Sequence, residues 1–204
     1  MKNVMRTVMI VLAFGLASHS ILGQERMTKK FKTLNTEIVI NASAEKVWET
    51  MVLDYGKVGN FSPFIYSSHY ESGSLKGEVG AERKCYFSEN KKRWAHETIL
   101  DIDAQNMRMI NIIKDAAKFP LDKNNSQAIY YVKDNGDGTA TAGYKFQFRT
   151  KPAFMAGLAK GKFKKLLGET LVGLKHYVET GEVVNASNNK FKDIKNTYNY
   201  TVLK

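Results

Sequence analysis

The sequence predicts an α+β domain in which one long C-terminal helix packs against an antiparallel sheet. Two observations carry this prediction. Residues 152–180 place apolar side chains at helical spacing along one face only, so this helix needs a large apolar partner. Most of the chain before it consists of short alternating segments separated by turn sequences, which are typical of antiparallel strands. A sheet is therefore the partner that the helix requires.

Length and composition favour one globular domain with a basic surface. The chain has 204 residues, of which 43% are hydrophobic, enough to bury a substantial core. Its formal net charge of +11 favours anionic partners, although a lysine-rich surface without any specific partner explains it equally well. Cys85 is the only cysteine, so no disulfide can form within the chain.

Residues 1–23 have the layout of a secretory signal peptide. Lys2 and Arg6 precede an uncharged run with an apolar centre. Cleavage after Gly23 is the first expectation, and cleavage after Ser20 is the alternative. An uncleaved membrane anchor is the rival interpretation, against which the short apolar run argues. We therefore expect an exported protein, periplasmic or extracellular, for which nucleic acid is a poor partner.

The next elements follow from local sequence signals. Residues 36–42 alternate apolar and polar side chains, which predicts the first strand. Ser43 is a good N-cap for a short helix over 44–51. Two glycines and a proline then interrupt the chain, so we expect a short second helix that ends in a loop. Six further strands are predicted at 67–72, 80–88, 93–103, 108–115, 126–134 and 139–150.

The last two of these strands form a hairpin. The sequence DNGDG at 134–138 supplies the Asn-Gly and Asp-Gly pairs that hairpin turns prefer. The strand that follows alternates without a fault, so one of its faces is buried and the other meets water. The buried face carries Ala140, Ala142, Tyr144, Phe146 and Phe148.

The strand over 93–103 allows two orientations. Its more apolar face, which includes Trp94, places His96 inward, and Glu97 then points outward. A one-residue bulge would exchange these faces over part of the strand. On alternation alone, His96 is the favoured inward residue.

The long helix divides into two parts. From Phe163 onward its apolar stripe is continuous, whereas Gly157 and Gly161 weaken the part before it. Phe154 and Leu158 lie off the stripe and near lysines. They either touch an anionic membrane or fold into the core where the glycines bend the helix, and we expect the second arrangement.

The segment after the helix has weak periodicity. It is rich in Asn and Lys, so residues 183–204 are expected to form a polar, poorly ordered tail, within which 198–202 could add a late strand.

Several stretches together resemble the START-related superfamily. This superfamily includes polyketide cyclase/dehydrase and lipid-transport proteins and the birch-pollen-allergen-like proteins. The resemblance rests on four stretches: TEIVINASAEKVWETMVLDYGKVGNF, Gly-x-x-Arg at 80–83, HETILDIDAQNMRM at 96–109 and the alternating YKFQF at 144–148.

The resemblance covers roughly residues 36–182. It implies a helix-grip fold, in which a curved antiparallel sheet of six to seven strands wraps around the C-terminal helix, with two short helices after the first strand. It also implies a cavity between sheet and helix. We therefore expect a linker at 24–34 and a ligand-binding domain at 35–182.

The candidate cavity wall combines aromatic, apolar and a few polar residues. Its predicted members are Phe61, Phe64, Arg83, His96, Met109, Tyr130, Tyr144, Phe146, Phe163 and Leu167. Such spacings are also typical of an ordinary core. In several branches of the superfamily a glutamate matching Glu97 points at the ligand, which conflicts with the alternation that places His96 inward. Both residues cannot face inward on a regular strand.

The sequence favours binding over catalysis. It contains no recognisable nucleophile setting, phosphate loop or metal-ligand spacing, so no metal or other cofactor is expected. Asp101 and Asp103 are interpreted as solvated carboxylates near a turn. The leading hypothesis is a non-enzymatic binding protein for a hydrophobic small molecule or lipid, acting as a monomer or weak dimer. One alternative is a cyclase/dehydrase-like enzyme with His96 and Arg83 as proton carriers, and another is an anionic membrane-surface module.

Overall fold

The computed structural model describes residues 27–203. The signal peptide predicted at 1–23 lies outside the described residues and stays a prediction. The strands are β1 Lys32–Ile40, β2 Ser67–Tyr70, β3 Glu82–Tyr86, β4 Trp94–Asp103, β5 Arg108–Ala117, β6 Gln127–Asp134, β7 Ala140–Phe148 and β8 Thr201–Leu203. The α-helices are α1 Ala44–Trp48, α2 Ala156–Thr180 and α3 Phe191–Ile194. Short 3-10 turns lie at Tyr55–Asn60, Lys123–Asn125 and Ala153–Met155.

The strands form one antiparallel sheet, against which α2 packs. Their order is β2-β3-β4-β5-β6-β7-β1-β8, so neighbours in sequence are neighbours in space except at β1 and β8. The helix α2 lies mainly across β1 and β7. The predicted α+β, helix-grip architecture is confirmed, with one strand more than the six to seven expected.

The buried face of the sheet follows the alternation of its strands. In β7 all five residues predicted to face inward are buried. Its neighbour β1 buries Leu34, Thr36, Ile38 and Ile40, which pair across the two strands with residues of β7. The turn before β7 adopts positive φ at Gly136 and Gly138, as the hairpin signal requires. This side of the core was predictable because strand parity is regular here.

The first helical segment begins at the predicted cap. The Ser43 hydroxyl accepts a hydrogen bond from the Lys46 backbone N–H at 3.4 Å. The chain then continues through a π-helical turn, Glu49–Leu53, into the 3-10 turn Tyr55–Asn60. This segment matters for the site because it buries Tyr55 completely beneath the sheet.

The helix α2 begins later than predicted and ends where predicted. A 3-10 turn occupies 153–155, so the α-helix starts at Ala156 instead of at Pro152. Its end is capped by Gly181, whose φ of 77° lies in the left-handed region that glycine tolerates. From Phe163 onward the apolar stripe of the helix packs against the sheet. Its buried members include Leu167, Leu171 and Leu174.

Residues 183–203 differ from the poorly ordered tail that we expected. Val184 is fully buried, and its N–H donates to the Asn60 carbonyl at 2.8 Å. Farther along, β8 pairs with β1, and the Tyr200 ring lies against Gly168 of α2. The missing side chain of Gly168 leaves the recess that this ring fills. Periodicity within the tail could not show this, because the complementary surface lies on another element.

Two glycines of α2 provide a matched test of this packing. A Cβ at Gly173 would overlap the Phe61 carbonyl oxygen, whereas a Cβ at Gly157 would meet nothing within 4 Å. We expect Gly173→Ala to lower the free energy of unfolding by about 2 kcal/mol, because backbone cannot move aside as a side chain does. Gly157→Ala should raise it by roughly 0.5–1 kcal/mol, since alanine is the better helix former. Urea unfolding followed by circular dichroism measures both, and a change of the same sign in both variants would contradict this account.

Candidate functional site

A cavity of about 100 Å³ lies between the sheet and α2. Most of its lining is apolar, and the polar groups gather on β3, β4, β6 and β7. Its walls are formed by Val58, Ser62, Ile65, Arg83, Cys85, Phe87, Ala95, Glu97, Ile113, Phe119, Leu121, Ala128, Tyr130, Tyr144, Phe146, Phe163, Leu166, Leu167 and Thr170. A mainly apolar pocket with a few convergent polar groups is the usual composition of a small-molecule site.

One end of the cavity is an aromatic wall. Phe163 of α2 meets Phe146 edge to face, with ring centroids 5.3 Å apart. On its other side it approaches Phe119, which in turn lies 5.2 Å from Phe87. These rings come from α2, β7 and the connections that follow β3 and β5. The loops at this end of the sheet therefore contribute to the site together with the helix.

The other end is organised by a buried arginine. Arg83 is only 3% exposed, and its Nε donates to Glu97 Oε2 at 2.7 Å. Its other two nitrogens donate to the Tyr55 carbonyl and to the Tyr130 hydroxyl, both at 2.9 Å. The guanidinium carbon also stands 3.9 Å from the centre of the Tyr55 ring. Every face of this cation is thus held by the protein.

Hydroxyl groups extend the polar cluster. Asn111 Nδ2 donates to the hydroxyls of Tyr55 at 3.0 Å and Tyr130 at 3.4 Å. Both bonds that reach the Tyr130 oxygen use it as an acceptor, so its own hydrogen remains to donate. Tyr144 packs edge to face on Tyr130, and its hydroxyl has no hydrogen-bond partner among residues 27–203. The cavity therefore offers hydroxyl donors to a guest molecule.

Burial sets the protonation of these groups. Desolvation opposes the guanidinium charge, but attraction to Glu97 outweighs it, and the pKa of Arg83 lies well above its usual value. Burial raises the pKa of Tyr130 and of Tyr144, so both stay neutral hydroxyls. It also raises the pKa of the Cys85 thiol, whose Sγ lies 3.5 Å from Glu97 Oε2. The thiol is thus a protonated donor, and the ion pair leaves the polar end without net charge.

Six of the ten predicted wall residues line the cavity: Arg83, Tyr130, Tyr144, Phe146, Phe163 and Leu167. The other four lie elsewhere. Phe61 is buried beside Tyr177, with ring centroids 6.3 Å apart, and Met109 is buried in the core of β5. Phe64 is half-buried in the loop before β2, and His96 lies on the opposite face of the sheet.

The orientation of His96 corrects the alternation argument. The register of β4 against β5 shifts between His96 and Glu97, and again between Ile99 and Asp101. The first shift does not exchange the faces of β4, because this strand pairs with β3 without interruption from Trp94 to Thr98. Glu97 faces the cavity on the same side as Ala95, while His96 Nε2 pairs at 2.7 Å with Glu82 on the outer face. The outer face of β4 carries half-buried apolar residues, which made it resemble an inner face.

Asp101 also differs from expectation. It is 8% exposed, and its carboxylate lies 3.7 Å from Arg108, so it is not the solvated carboxylate that we expected. Among residues 27–203, no group of three or more His, Cys, Asp or Glu side chains is arranged to hold a metal ion. Over the same range, no helix is both long and apolar enough to cross a membrane.

Sequence reasoning missed several wall residues. Ser62 and Thr170 join the 3-10 segment to α2 through a buried contact of 2.9 Å between their hydroxyl oxygens. Cys85 also lines the wall, and Tyr55, which binds Arg83 from outside the cavity lining, was not singled out either. The signal that favoured Glu97 was the superfamily resemblance, whereas alternation argued against it.

The sequence also matches a known family over most of the domain. The family described as polyketide cyclase / dehydrase and lipid transport aligns with residues 32–179. The chain belongs to this family. Membership of this family suggests a fold that binds a hydrophobic ligand. No curated protein sequence matches this chain significantly.

Solved structures agree with this membership at the level of the fold. A solution structure from Thermobifida fusca has a TM-score of 0.58 at 20% identity and covers 72% of this chain and 92% of its own. The crystal structure of Ara h 8.0201 gives 0.57 at 18% identity, covering 74% and 99%. Norcoclaurine synthase from Thalictrum flavum gives 0.56 at 12% identity, covering 85% and 99%. Like these proteins, this chain has the helix-grip fold.

The buried ion pair yields a stability test. Glu97→Gln leaves the Arg83 guanidinium buried without its counter-charge, and we expect the free energy of unfolding to fall by about 3 kcal/mol. Glu82→Gln is the matched control, because that carboxylate pairs with His96 and Lys114 near the surface. It should cost less than about 1 kcal/mol. Denaturant unfolding at pH 7 measures both variants. Equal losses of unfolding free energy would show that the buried ion pair stabilises the protein no more than the exposed one.

Proposed function

We propose that the protein is an exported binding protein for one small, mainly apolar and uncharged molecule held between the sheet and α2. The observation that carries this proposal is the cavity itself, whose aromatic wall ends at a charge-neutral polar cluster. Export is supported by the signal-peptide layout of residues 1–23. Family membership supports a hydrophobic ligand.

The polar cluster selects the ligand's chemistry. Tyr130 and Tyr144 are neutral hydroxyls that can donate a hydrogen bond, and a ligand oxygen placed beside them would satisfy both. The charge of Arg83 is already compensated by Glu97, so a charged ligand group would enter an apolar site without a counter-charge. These properties favour an uncharged ligand that carries a hydroxyl, carbonyl or ether oxygen.

The size of the cavity limits the ligand or requires the protein to open. Drug-sized ligands occupy pockets of roughly 300–1,000 Å³, and this cavity measures about 100 Å³. The first turns of α2 are the part best suited to yield. Both Gly157 and Gly161 are exposed there, and neither would bring a Cβ into contact with another element. A small guest fits the closed cavity, and a lipid enters only if these turns move.

Binding is better supported than a cyclase or dehydratase reaction. That alternative assigned proton transfer to His96 and Arg83. Here His96 faces away from the cavity, and attraction to Glu97 outweighs desolvation and holds the pKa of Arg83 well above its usual value. Norcoclaurine synthase carries an enzyme's name on this fold, at 12% identity. The residues proposed for such chemistry in this chain are not together in the cavity.

Occupancy of the cavity tests the proposal. Native mass spectrometry of the purified protein, with solvent extraction as control, should detect a retained neutral compound or uptake of N-phenyl-1-naphthylamine, an uncharged apolar probe. We expect Ala128→Leu, which fills the cavity, to weaken uptake of the probe by at least about tenfold. Ala104→Leu makes the same change on the exposed β4–β5 turn and should leave uptake intact. Equal uptake by both variants, or a wild-type protein that neither retains a compound nor takes up the probe, would refute the proposal.

Ligand entry through the first turns of α2 has its own signature. Hydrogen exchange should be faster in residues 153–161 than in 166–174, and binding of N-phenyl-1-naphthylamine should slow the first segment selectively. The reason is that the first segment has few inward side chains, whereas the second is buried against the sheet. Strong protection of both segments, unchanged by the probe, would contradict this route.

A further inference from the structure

The 3-10 turn Ala153–Met155 and the first turn of α2 expose one large apolar side chain each. Phe154 is 82% exposed and Leu158 is 77% exposed, more than any other large hydrophobic residue in the described part of the chain. The expectation that they fold into the core was wrong. The helix continues through both glycines, and Ala156 and Ala159 take the inward positions instead. The two large side chains therefore point to solvent.

Lysines precede and follow this pair in the sequence, and acidic residues are absent from the segment. From Lys151 to Gly168 the sequence holds five lysines and neither Asp nor Glu. Lys165 pairs with Glu169. The other four are exposed and make no ion pair among residues 27–203: Lys151, Lys160, Lys162 and Lys164. Uncompensated positive charge thus flanks an apolar tip.

The same surface adjoins the aromatic end of the cavity. The Lys151 N–H donates to the Pro120 carbonyl at 3.2 Å, and Thr150 bridges to Leu121, which lines the cavity. Phe163, five residues after Leu158, belongs to the aromatic wall. The connection before Leu121 adds Lys118, which is also exposed. The segment that begins at Lys151 and leads into α2 thus lies next to the cavity rim.

We propose that this surface docks the protein on an anionic lipid bilayer, with Phe154 and Leu158 inserted at the acyl-chain boundary and the lysines against the headgroups. Apolar side chains flanked by lysines on a helix are suited to a membrane interface. A second copy of the chain is the less suitable partner, because it would bring the same uncompensated lysines face to face. The docking does not require an occupied cavity, although it places the cavity rim at the membrane.

Vesicle binding by the purified full chain tests this docking. We expect cosedimentation with vesicles of phosphatidylcholine and phosphatidylglycerol at 3:1, little with phosphatidylcholine alone, and loss of binding in high salt. The double variant Phe154→Ser, Leu158→Ser should bind at least about tenfold more weakly. The triple variant Lys160→Gln, Lys162→Gln, Lys164→Gln should weaken binding by about fivefold per lysine.

The control variant removes apolar surface at the other end of the molecule. Leu75 and Val79 are 53% and 54% exposed in the β2–β3 connection, at the end of β3 opposite the cavity residue Phe87. Leu75→Ser, Val79→Ser should bind vesicles as the wild type does. The proposal fails if the wild type binds no vesicles, or if both serine pairs weaken binding equally. It also fails if Phe154 and Leu158 drive only self-association, measured by sedimentation without vesicles, because the partner is then a second copy.

Discussion

Burial of the Arg83 charge is the constraint on which the site depends. A guanidinium withdrawn from water is stable only if a counter-charge and hydrogen-bond acceptors replace its hydration. Glu97 of β4, Tyr130 of β6 and the carbonyl of Tyr55 supply these groups, so one side chain of β3 ties three other elements together. Asn111 of β5 then orients both tyrosine hydroxyls. The positions of Glu97 and Tyr130 in the cavity wall follow from the need to satisfy this cation.

The same arrangement divides the cavity into two chemically different ends. At its polar end, hydrogen bonds hold Arg83, Glu97 and Tyr130 in place. The aromatic end is formed by side chains from two connections and from the part of α2 that follows its exposed glycines. One part of the fold therefore recognises the polar group of the ligand, and another part accommodates its apolar body. A ligand can be oriented at one end while the other end adjusts to its size.

How much could be predicted depended on where the determining contacts lie. The long helix, the hairpin before β7 and the buried face of β7 were predictable, because local periodicity and turn chemistry specify them. His96 was misplaced because the outer face of β4 carries half-buried apolar residues, and the elements packed against a strand, not its own alternation, decide which face is buried. The tail was misjudged for a similar reason, since its order depends on the recess at Gly168. The superfamily resemblance indicated that Glu97 faces the cavity, whereas the periodicity of the strand did not.

The short strand β8 has a consequence for the sheet as a whole. Without it, β1 would be an edge strand with a free row of backbone donors and acceptors, to which another chain could add. By pairing with residues 35–37, β8 covers the centre of that edge with only three residues of its own. The opposite edge is the four-residue strand β2, too short to offer a long template. The polar tail thus protects an open sheet against aggregation, in a protein whose cavity requires the sheet to remain open.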